Sequence, residues 1–360
     1  MQAQLNHQYG NKLKAGYIGT GEQSLVSVLP VMQYAPVELV AFADHNTTRG
    51  LAVARQYGAR HFYPNHKAML AQEKLDAVFI VVGPDEKGKP RYPELAEYAL
   101  RQGLHTWVDA PPCGSLDDVK QLTSGCTSRG KWLQASFFKM FAPAYLKAAE
   151  IIHSEPFGGI SSFTMRYPAA LPPAEVRSNT LAMAPFLADF LQAYSVLLRL
   201  VGECDGFSYL RSKLGDVVLN LHYRSGMVGT LHLTGSQALT SPTERLEVVG
   251  NGANVVVDNG IKLTYYRAGG APGESDEERP ISFIGLDDNA PIIWEPDMSP
   301  GTYYNKTLFL QGNVGSILQF SQKILAKEPP RHGNISDMLH MMIVYEKLLA
   351  GAEKSWISLY

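Results

Sequence analysis

Cysteine is scarce. The 360 residues contain three, Cys113, Cys126 and Cys204, widely spaced and in no C-x-x-C pair or Cys/His cluster of zinc spacing. That excludes a disulfide framework, and no metal site is expected. A dominant charge sign is also missing: 32 Lys and Arg stand against 34 Asp and Glu, a net charge of -2. Without a basic field, neither nucleic acid nor an anionic membrane is an expected partner. Long apolar runs are absent too. Met1 to Lys14 is polar, with no signal-peptide core, and the most apolar helical stretch, Pro185 to Val201, is interrupted by Asp189 and Arg199. A cytoplasmic location is therefore expected. There is no internal repeat, and the one biased tract, Gly269 to Pro280, reads as a solvated loop rich in Gly, Pro and acid.

What is present is a hydrophobic content of 45%, enough for a buried core in each of about two domains of roughly 150 residues. From Leu13 to about Ala135, short apolar runs alternate with amphipathic stretches. The expected strands are Lys14–Ile18, Val37–Ala43, His61–Tyr63, Asp76–Val82, His105–Val108 and Trp132–Phe138. Helices are expected around Leu25–Met32, Leu51–Tyr57, Leu95–Ala99 and Leu116–Leu122. Strand followed by helix, repeated, describes a doubly wound α/β sheet, and residues 1–141 form the first expected domain. After Ala142 the rhythm changes. A helix from Ala142 to His153 and a strand from Ile160 to Tyr167 lead to the apolar helix and then to alternating runs from Gly206 to Arg267, broken by turns such as Asn251-Gly252 and Asn259-Gly260. Residues 142–360 are thus expected to form an α+β domain with a mainly antiparallel open sheet and helices on one face. Two helices, Asn305–Ala326 and Ile335–Leu349, close the chain, the last placed to pack back on the first domain.

Directly after the first strand stands Gly19-Thr20-Gly21-Glu22-Gln23-Ser24, close to G-x-G-x-x-G, with a helix following at once. Gly19 permits the tight turn, Gly21 lets a pyrophosphate approach the backbone, and the free amides that open the helix receive its charge. Ser24 replaces the third glycine, where a small side chain is tolerated. The second strand ends in Asp44, near the spacing at which an acid accepts the ribose hydroxyls and repels a 2′-phosphate. This favours NAD over NADP, with Arg49 close enough to answer a phosphate. The bland alternative is a glycine turn and an Asp that only cap helices.

Together with Asp76–Val82 and Gly83-Pro84, Leu95–His105, Phe138–Pro143, Leu246–Gly252 and Asp337–Ser355, these residues resemble the Gfo/Idh/MocA family of nicotinamide-dependent sugar and polyol oxidoreductases over nearly the whole chain. The resemblance implies a Rossmann domain and an α+β domain. NAD(P) lies in the cleft, and a homodimer or homotetramer forms through the second sheet. It places Gly19, Thr20, Gly21, Glu22, Gln23, Asp44, Gly83, Pro84, Asp109 and Pro111 at the cofactor. Two family signatures depart. The usual Glu-Lys-Pro reads Asp109-Ala110-Pro111, and the usual Asp-x-x-x-His helix reads Asp189-Phe190-Leu191-Gln192-Ala193-Tyr194, with Gln192 or Ala193 at the histidine position. Neither an amide nor a methyl accepts a proton near neutral pH.

Lys139, at the domain crossover, is the candidate substitute for proton transfer, and Asp189 and Gln192 share a helix face that lines a ligand site. Tyr92 takes a place where the family often has a His near the cofactor. His153, His222, His232 and His340 are isolated and read as structural, Cys113 as packing, and Trp132, Phe137, Phe138 and Phe141 as inter-domain core. Three functions remain open: hydride transfer on a sugar, polyol or derivative; a silent NAD- or sugar-binding accessory or sensor protein; or an enzyme using tightly bound NAD for transient oxidation.

Overall fold

The structure is a computed structural model, and it describes residues 4–267, 290–296 and 306–359. The tract Gly269 to Pro280 lies outside the described residues, as does Asn305. The chain gathers into two compact units. The first comprises Met1–Phe141, Ala174–Ser195 and Thr307–Glu346, and the second comprises Ala142–Pro173, Val196–Lys306 and Lys347–Tyr360.

In the first unit β1 (Leu13–Ile18), β2 (Val37–Ala43), α1 (Thr47–Gln56), β3 (His61–Tyr63), α2 (His66–Gln72), β4 (Ala77–Ile80), α3 (Tyr92–Arg101), β5 (His105–Val108), α4 (Leu116–Arg129) and β6 (Leu133–Ala135) follow one another. The strands form an all-parallel sheet in the order β3-β2-β1-β4-β5-β6. β4 is buried at every residue and β1 at all but Lys14, which is why these strands read as continuous apolar runs. Aromatic rings fill the centre: Tyr17 packs on Phe42 and Phe79, and Phe79 meets Trp107 and Phe320 edge or tilt first. The strand order reverses between β1 and β4, so a crevice opens at their carboxyl ends, where ligands bind in sheets of this kind.

The helix expected over Leu25–Met32 is not regular. The helical run widens by one residue per turn over Ser24–Val28 and tightens to three-residue turns over Leu29–Tyr34. Pro30 is the cause: it has no N–H to give to the carbonyl four residues back, and its ring crowds that carbonyl. The seven-residue α2 was not expected from periodicity. It is too short to display one, and it is begun by Asn65, whose Oδ1 accepts from Lys67 N at 2.8 Å.

Next come α5 (Pro143–Ile152), β7 (Ile160–Tyr167) and α6 (Thr180–Val201), then β8 (Gly206–Arg211), β9 (Val217–His222), β10 (Val228–Leu233), β11 (Arg245–Gly250), β12 (Asn254–Asp258), β13 (Lys262–Tyr266) and β14 (Ile292–Trp294). With β15 (Ile357–Ser358) they make a nine-stranded sheet ordered β14-β13-β12-β11-β7-β10-β9-β8-β15. Only β10 and β7 run parallel; the other neighbours are antiparallel. Phe163, Met165, Tyr167, Leu219, Leu221, Leu231 and Leu233 fill one face, and Thr164, Arg166, Asn220 and His222 point away from it.

α6 begins five residues before Pro185. Asn179 Oδ1 accepts from Leu181 N at 3.0 Å and Ala182 N at 3.2 Å, so the start is capped upstream. Proline then falls in the second turn, where the bond it omits would have served the carbonyl of Leu181, a residue 60% exposed to solvent. By length and composition α6 would span a bilayer, but 67% of its apolar window is buried, as in a core helix. The helix expected from Asn305 is two pieces, α7 (Lys306–Leu310) and α8 (Asn313–Leu325), divided at Gly312 with φ +94°. α9 (Ile335–Ala350) follows.

Candidate active site

β1 runs into Gly19, whose φ is +94° and whose N–H donates to Ala43 O at 2.9 Å. A Cβ at Gly19 would lie 2.0 Å from Val81 O, so only glycine lets the turn pass between the ends of β2 and β4. Gly21 is different: a Cβ there would meet nothing within 4 Å. It opens, with Gly19, Asp44 and Gly83, on a cavity of about 450 Å³. A backbone left bare beside an open cavity suits a pyrophosphate, and the residues present fit a dinucleotide at this point. Ser24 is fully buried and its hydroxyl donates to Gly19 O at 2.9 Å, so the third position of the motif ties helix to turn by a hydrogen bond. Because a Cβ at Gly21 meets nothing within 4 Å, Gly21→Glu is expected to fold normally and to lose dinucleotide affinity altogether; circular dichroism and calorimetric titration check the two halves of that statement.

Thr20 faces inward. Its N–H and hydroxyl both donate to Asp44 Oδ2, at 2.6 and 2.7 Å, while Asn46 N donates to Oδ1 at 2.7 Å. Burial pushes the Asp44 pKa up, and these donors with the Arg49 guanidinium more than reverse it, holding the carboxyl below its ordinary value. Glu22 and Pro84 are exposed beside the turn.

Asp109 ends the β5 side of the crevice. It is buried, and burial pushes its pKa up to about 6, with the Ala110 backbone and the Gln23 and Ser136 side chains acting to lower it. Gln23 stands on the glycine turn and Ser136 just past β6. The bond between Ala110 and Pro111 is cis. Tyr92 is buried and its hydroxyl accepts from Val82 N at 3.3 Å, so it supports the segment leading into Gly83.

The segment after β6 is tied to α6. Gln192 Nε2 donates to Ser136 O at 3.0 Å, and its Oε1 accepts from Lys139 N at 3.4 Å. Gln192 faces the segment 136–139, and Ala193 is wholly buried. One turn earlier on α6, Asp189 is half-buried. Burial pushes its pKa up to about 6, and the Lys139 ammonium pulls it back toward the ordinary range. Lys139, Asp189 and Gln192 are therefore brought together, and the first two interact as charges.

The remaining candidates lie elsewhere. His340 is buried with its Nε2 3.1 Å from Tyr194 Oη, beside Tyr194 rather than at Asp189. His153 Nδ1 bonds Ala149 O at 2.8 Å, and His222 packs edge-on against Trp356. Cys113 is buried, which raises its thiol pKa far above the usual range. Phe137 and Phe141 are buried in the first unit, and Trp132 lies against His105. Among the described residues no group of three or more His, Cys, Asp or Glu could hold a metal ion. Ser136 was missed by sequence reasoning; the signal that could have found it is its place just beyond a parallel strand, where such sheets gather ligand contacts.

Residues 13–137 match the family described as "Oxidoreductase family, NAD-binding Rossmann fold". A D-xylose 1-dehydrogenase (NADP(+)) of Haloferax volcanii is 31% identical over 157 residues, 44% of this chain and 46% of that protein, so the match spans about half the length of that relative. Among solved structures, a dehydrogenase from Chromobacterium violaceum superposes with a TM-score of 0.76 at 20% identity, covering 94% of this chain and 95% of the other. Levoglucosan dehydrogenase, solved with NADH and levoglucosan, gives a TM-score of 0.76 at 15% identity over 97% and 100% of the two chains. At such identities the likeness is one of fold. Residues 13–137 thus carry the NAD-binding Rossmann segment of the Gfo/Idh/MocA oxidoreductase family, and the chain as a whole shares the fold of these structures.

Proposed function

We propose that this protein is a nicotinamide-dinucleotide-dependent oxidoreductase that acts on a secondary hydroxyl of a sugar, polyol or derivative, or on the matching ketone. One observation carries the reading: just past the Rossmann sheet, Gln192 on α6 donates to Ser136 O and accepts from Lys139 N, which brings Lys139 and the Asp189 carboxyl together. Bound nicotinamide supplies the hydride acceptor or donor. The chain's own residues do the rest. Gly19 and Gly21 seat the pyrophosphate, and Asp109 and Gln192 fix the loops around the reacting carbon. Asp189 accepts the hydroxyl proton as the C–H electron pair leaves, and the Lys139 ammonium stabilises the negative charge that develops on oxygen. Holding both reactants in place contributes a large part of the rate.

The sugar class follows the relatives, which are named for xylose and levoglucosan. Residues 142–360 supply the remaining substrate contacts and the subunit contacts of a homodimer or homotetramer, with the polar face of the nine-stranded sheet as the surface covered. Three widely spaced cysteines suit a cytoplasmic setting. A second reading, a silent dinucleotide- or sugar-binding accessory protein, is favoured by one observation: Gln192, one of the two candidates for the family's imidazole position, is an amide already bonded at both ends.

Turnover separates the two. Dinucleotide-loaded protein is assayed by nicotinamide absorbance over a panel of pentoses, hexoses, anhydrosugars, inositols and keto sugars. Steady turnover on any of them supports the enzyme. Dinucleotide binding with no turnover across the panel, in both directions, overturns it in favour of the accessory protein.

A further inference from the structure

α6 carries Asp189 and Gln192 on one face and a ladder of rings on the next. Phe186, Phe190 and Tyr194 follow one another a helical turn apart, with centroids separated by 5.9 Å and 5.7 Å. Rings of α9 meet them. Tyr345 lies 6.1 Å from Phe186 and 5.6 Å from Phe190, and His340 stacks on Tyr194 at 5.9 Å and 29°. All five residues are buried. Apolar burial has no direction, and by itself it specifies the relative height of two helices only weakly. The buried hydrogen bond between Tyr194 Oη and His340 Nε2, 3.1 Å long, does have a direction. It fixes the height of α6 against α9, the use that buried polar pairs find in setting register.

α9 is itself tied to the parallel sheet. Ala135 N, at the end of β6, donates to Gly333 O at 2.7 Å, and Gly333 N donates to Asp337 Oδ2, in the first turn of α9, at 2.6 Å. A Cβ at Gly333 would lie 2.8 Å from Ala135 O, so the approach is reserved for glycine. Further along α9, Glu346 Oε1 accepts from Leu116 N at 2.7 Å. The residue after Ala135 is Ser136, whose carbonyl accepts from Gln192. The contacts therefore close on themselves: β6 to Gly333, Gly333 to α9, His340 to Tyr194, and Gln192 back to the end of β6. Lys139 and Asp189 stand on the same circuit, one just past Ser136 and the other one turn before Gln192.

We propose that Tyr194 and His340 are a positioning pair for the reaction, holding α6 at the height where Asp189 stands beside Lys139 and Gln192 reaches Ser136. The proposal rests on the oxidoreductase reading above and deepens it, since both residues act through Asp189 and Gln192.

Tyr194→Phe removes the hydroxyl and keeps the ring. At a temperature where circular dichroism shows the variant folded, kcat is expected to fall about tenfold, part of the roughly hundredfold that a misplacement of about 1 Å can cost. The dinucleotide dissociation constant should not change. His340→Leu is expected to do the same and His340→Gln, whose amide can bond the hydroxyl, to keep most of the rate. The Tyr194→Phe/His340→Leu double variant should be no slower than either single one, as for two halves of one interaction. A second readout needs no turnover. The Asp189 carboxyl, followed by carbon NMR, should titrate at about 6 in the wild type and higher in Tyr194→Phe, where the Lys139 ammonium no longer stands as close. Variants that melt lower yet keep the wild-type kcat and Asp189 titration overturn the proposal and reduce the pair to packing, as do losses that add in the double variant. A wild type that turns over no sugar overturns the oxidoreductase reading instead; an Asp189 titration that still moves in Tyr194→Phe would then support the placement of α6 by this pair, and one that does not would overturn it.

Discussion

A single methyl at Gly19 is expected to unfold much of the first unit at temperatures the wild type tolerates, and to abolish dinucleotide binding with it. The added Cβ would lie 2.0 Å from Val81 O, 2.9 Å from Val81 C and 2.9 Å from Val82 Cγ1. The nearest of these are backbone atoms, and β4 is held on both sides, by β1 and by β5. They cannot swing away as the tip of a side chain can. The positive φ of 94° adds its own cost for any L residue. Left-handed strain of about 1–2 kcal/mol and overpacking of about 1–3 kcal/mol together remove a large share of a typical stability of about 5–15 kcal/mol. Differential scanning calorimetry of Gly19→Ala should show the melting temperature falling by several degrees at least. The comparison with Gly21→Glu makes the result informative: the larger, charged change should fold and the smaller, apolar one should not. A Gly19→Ala protein that melts like wild type would mean that β1 and β4 part at this point more easily than their pairing implies.

The legibility of the fold follows from how each strand is buried. β1, β2, β4 and β5 lie inside a parallel sheet covered on both faces, so they stand out as apolar runs, and β7 to β13 alternate because one face of their sheet is buried and the other is not. Asp76–Val82 reads as seven residues of strand, but the regular strand ends at Ile80; Val81 N still donates to Ile18 O at 2.9 Å, and Val82 N donates to the Tyr92 hydroxyl instead. The elements that escaped the sequence carry too few residues for a period: α2, β14 and β15. The pitch of the helix after Gly21 escaped for another reason. Apolar spacing shows that a helix is there, whereas one proline decides which bonds it can make.

The candidate site divides in the same way. Gly19 and Gly21 are legible because a turn dictates glycine from neighbours adjacent in sequence. Thr20 occupies a variable position of the motif, and nothing local reveals that both its donors are spent on a carboxylate 24 residues away. The contact of Gln192 with Ser136 spans 56 residues and joins a helix to a strand end, so it becomes visible only once the chain is folded. The missing lysine and histidine were readable, and their absence directs attention to the groups that the fold puts in their place.

Asp189→Asn is the second large effect. As the proton acceptor in alcohol oxidation the carboxylate must be ionised, and with a pKa near 6 it is protonated below that pH and active above it. Wild-type kcat/KM should therefore climb with pH through about 6 and level off. In the Asn variant, of the same shape but unable to accept a proton, the rate should fall by about a hundredfold or more, the ordinary worth of a general base, and the limb near pH 6 should vanish. Lys139→Met provides the control that a merely structural role would not satisfy. Its ammonium draws the Asp189 pKa down, so removing it should move the limb to higher pH. Stability should run the other way. Because the folded pKa is raised above the unfolded one, Asp189 favours folding when neutral and opposes it once ionised, so its contribution is lost as pH rises from about 4 through 6. At pH 8 the Asn variant should melt no lower than wild type while turning over far more slowly. An unchanged pH profile in Asp189→Asn would assign the proton to another group, and the half-buried carboxylate would then be a substrate contact alone.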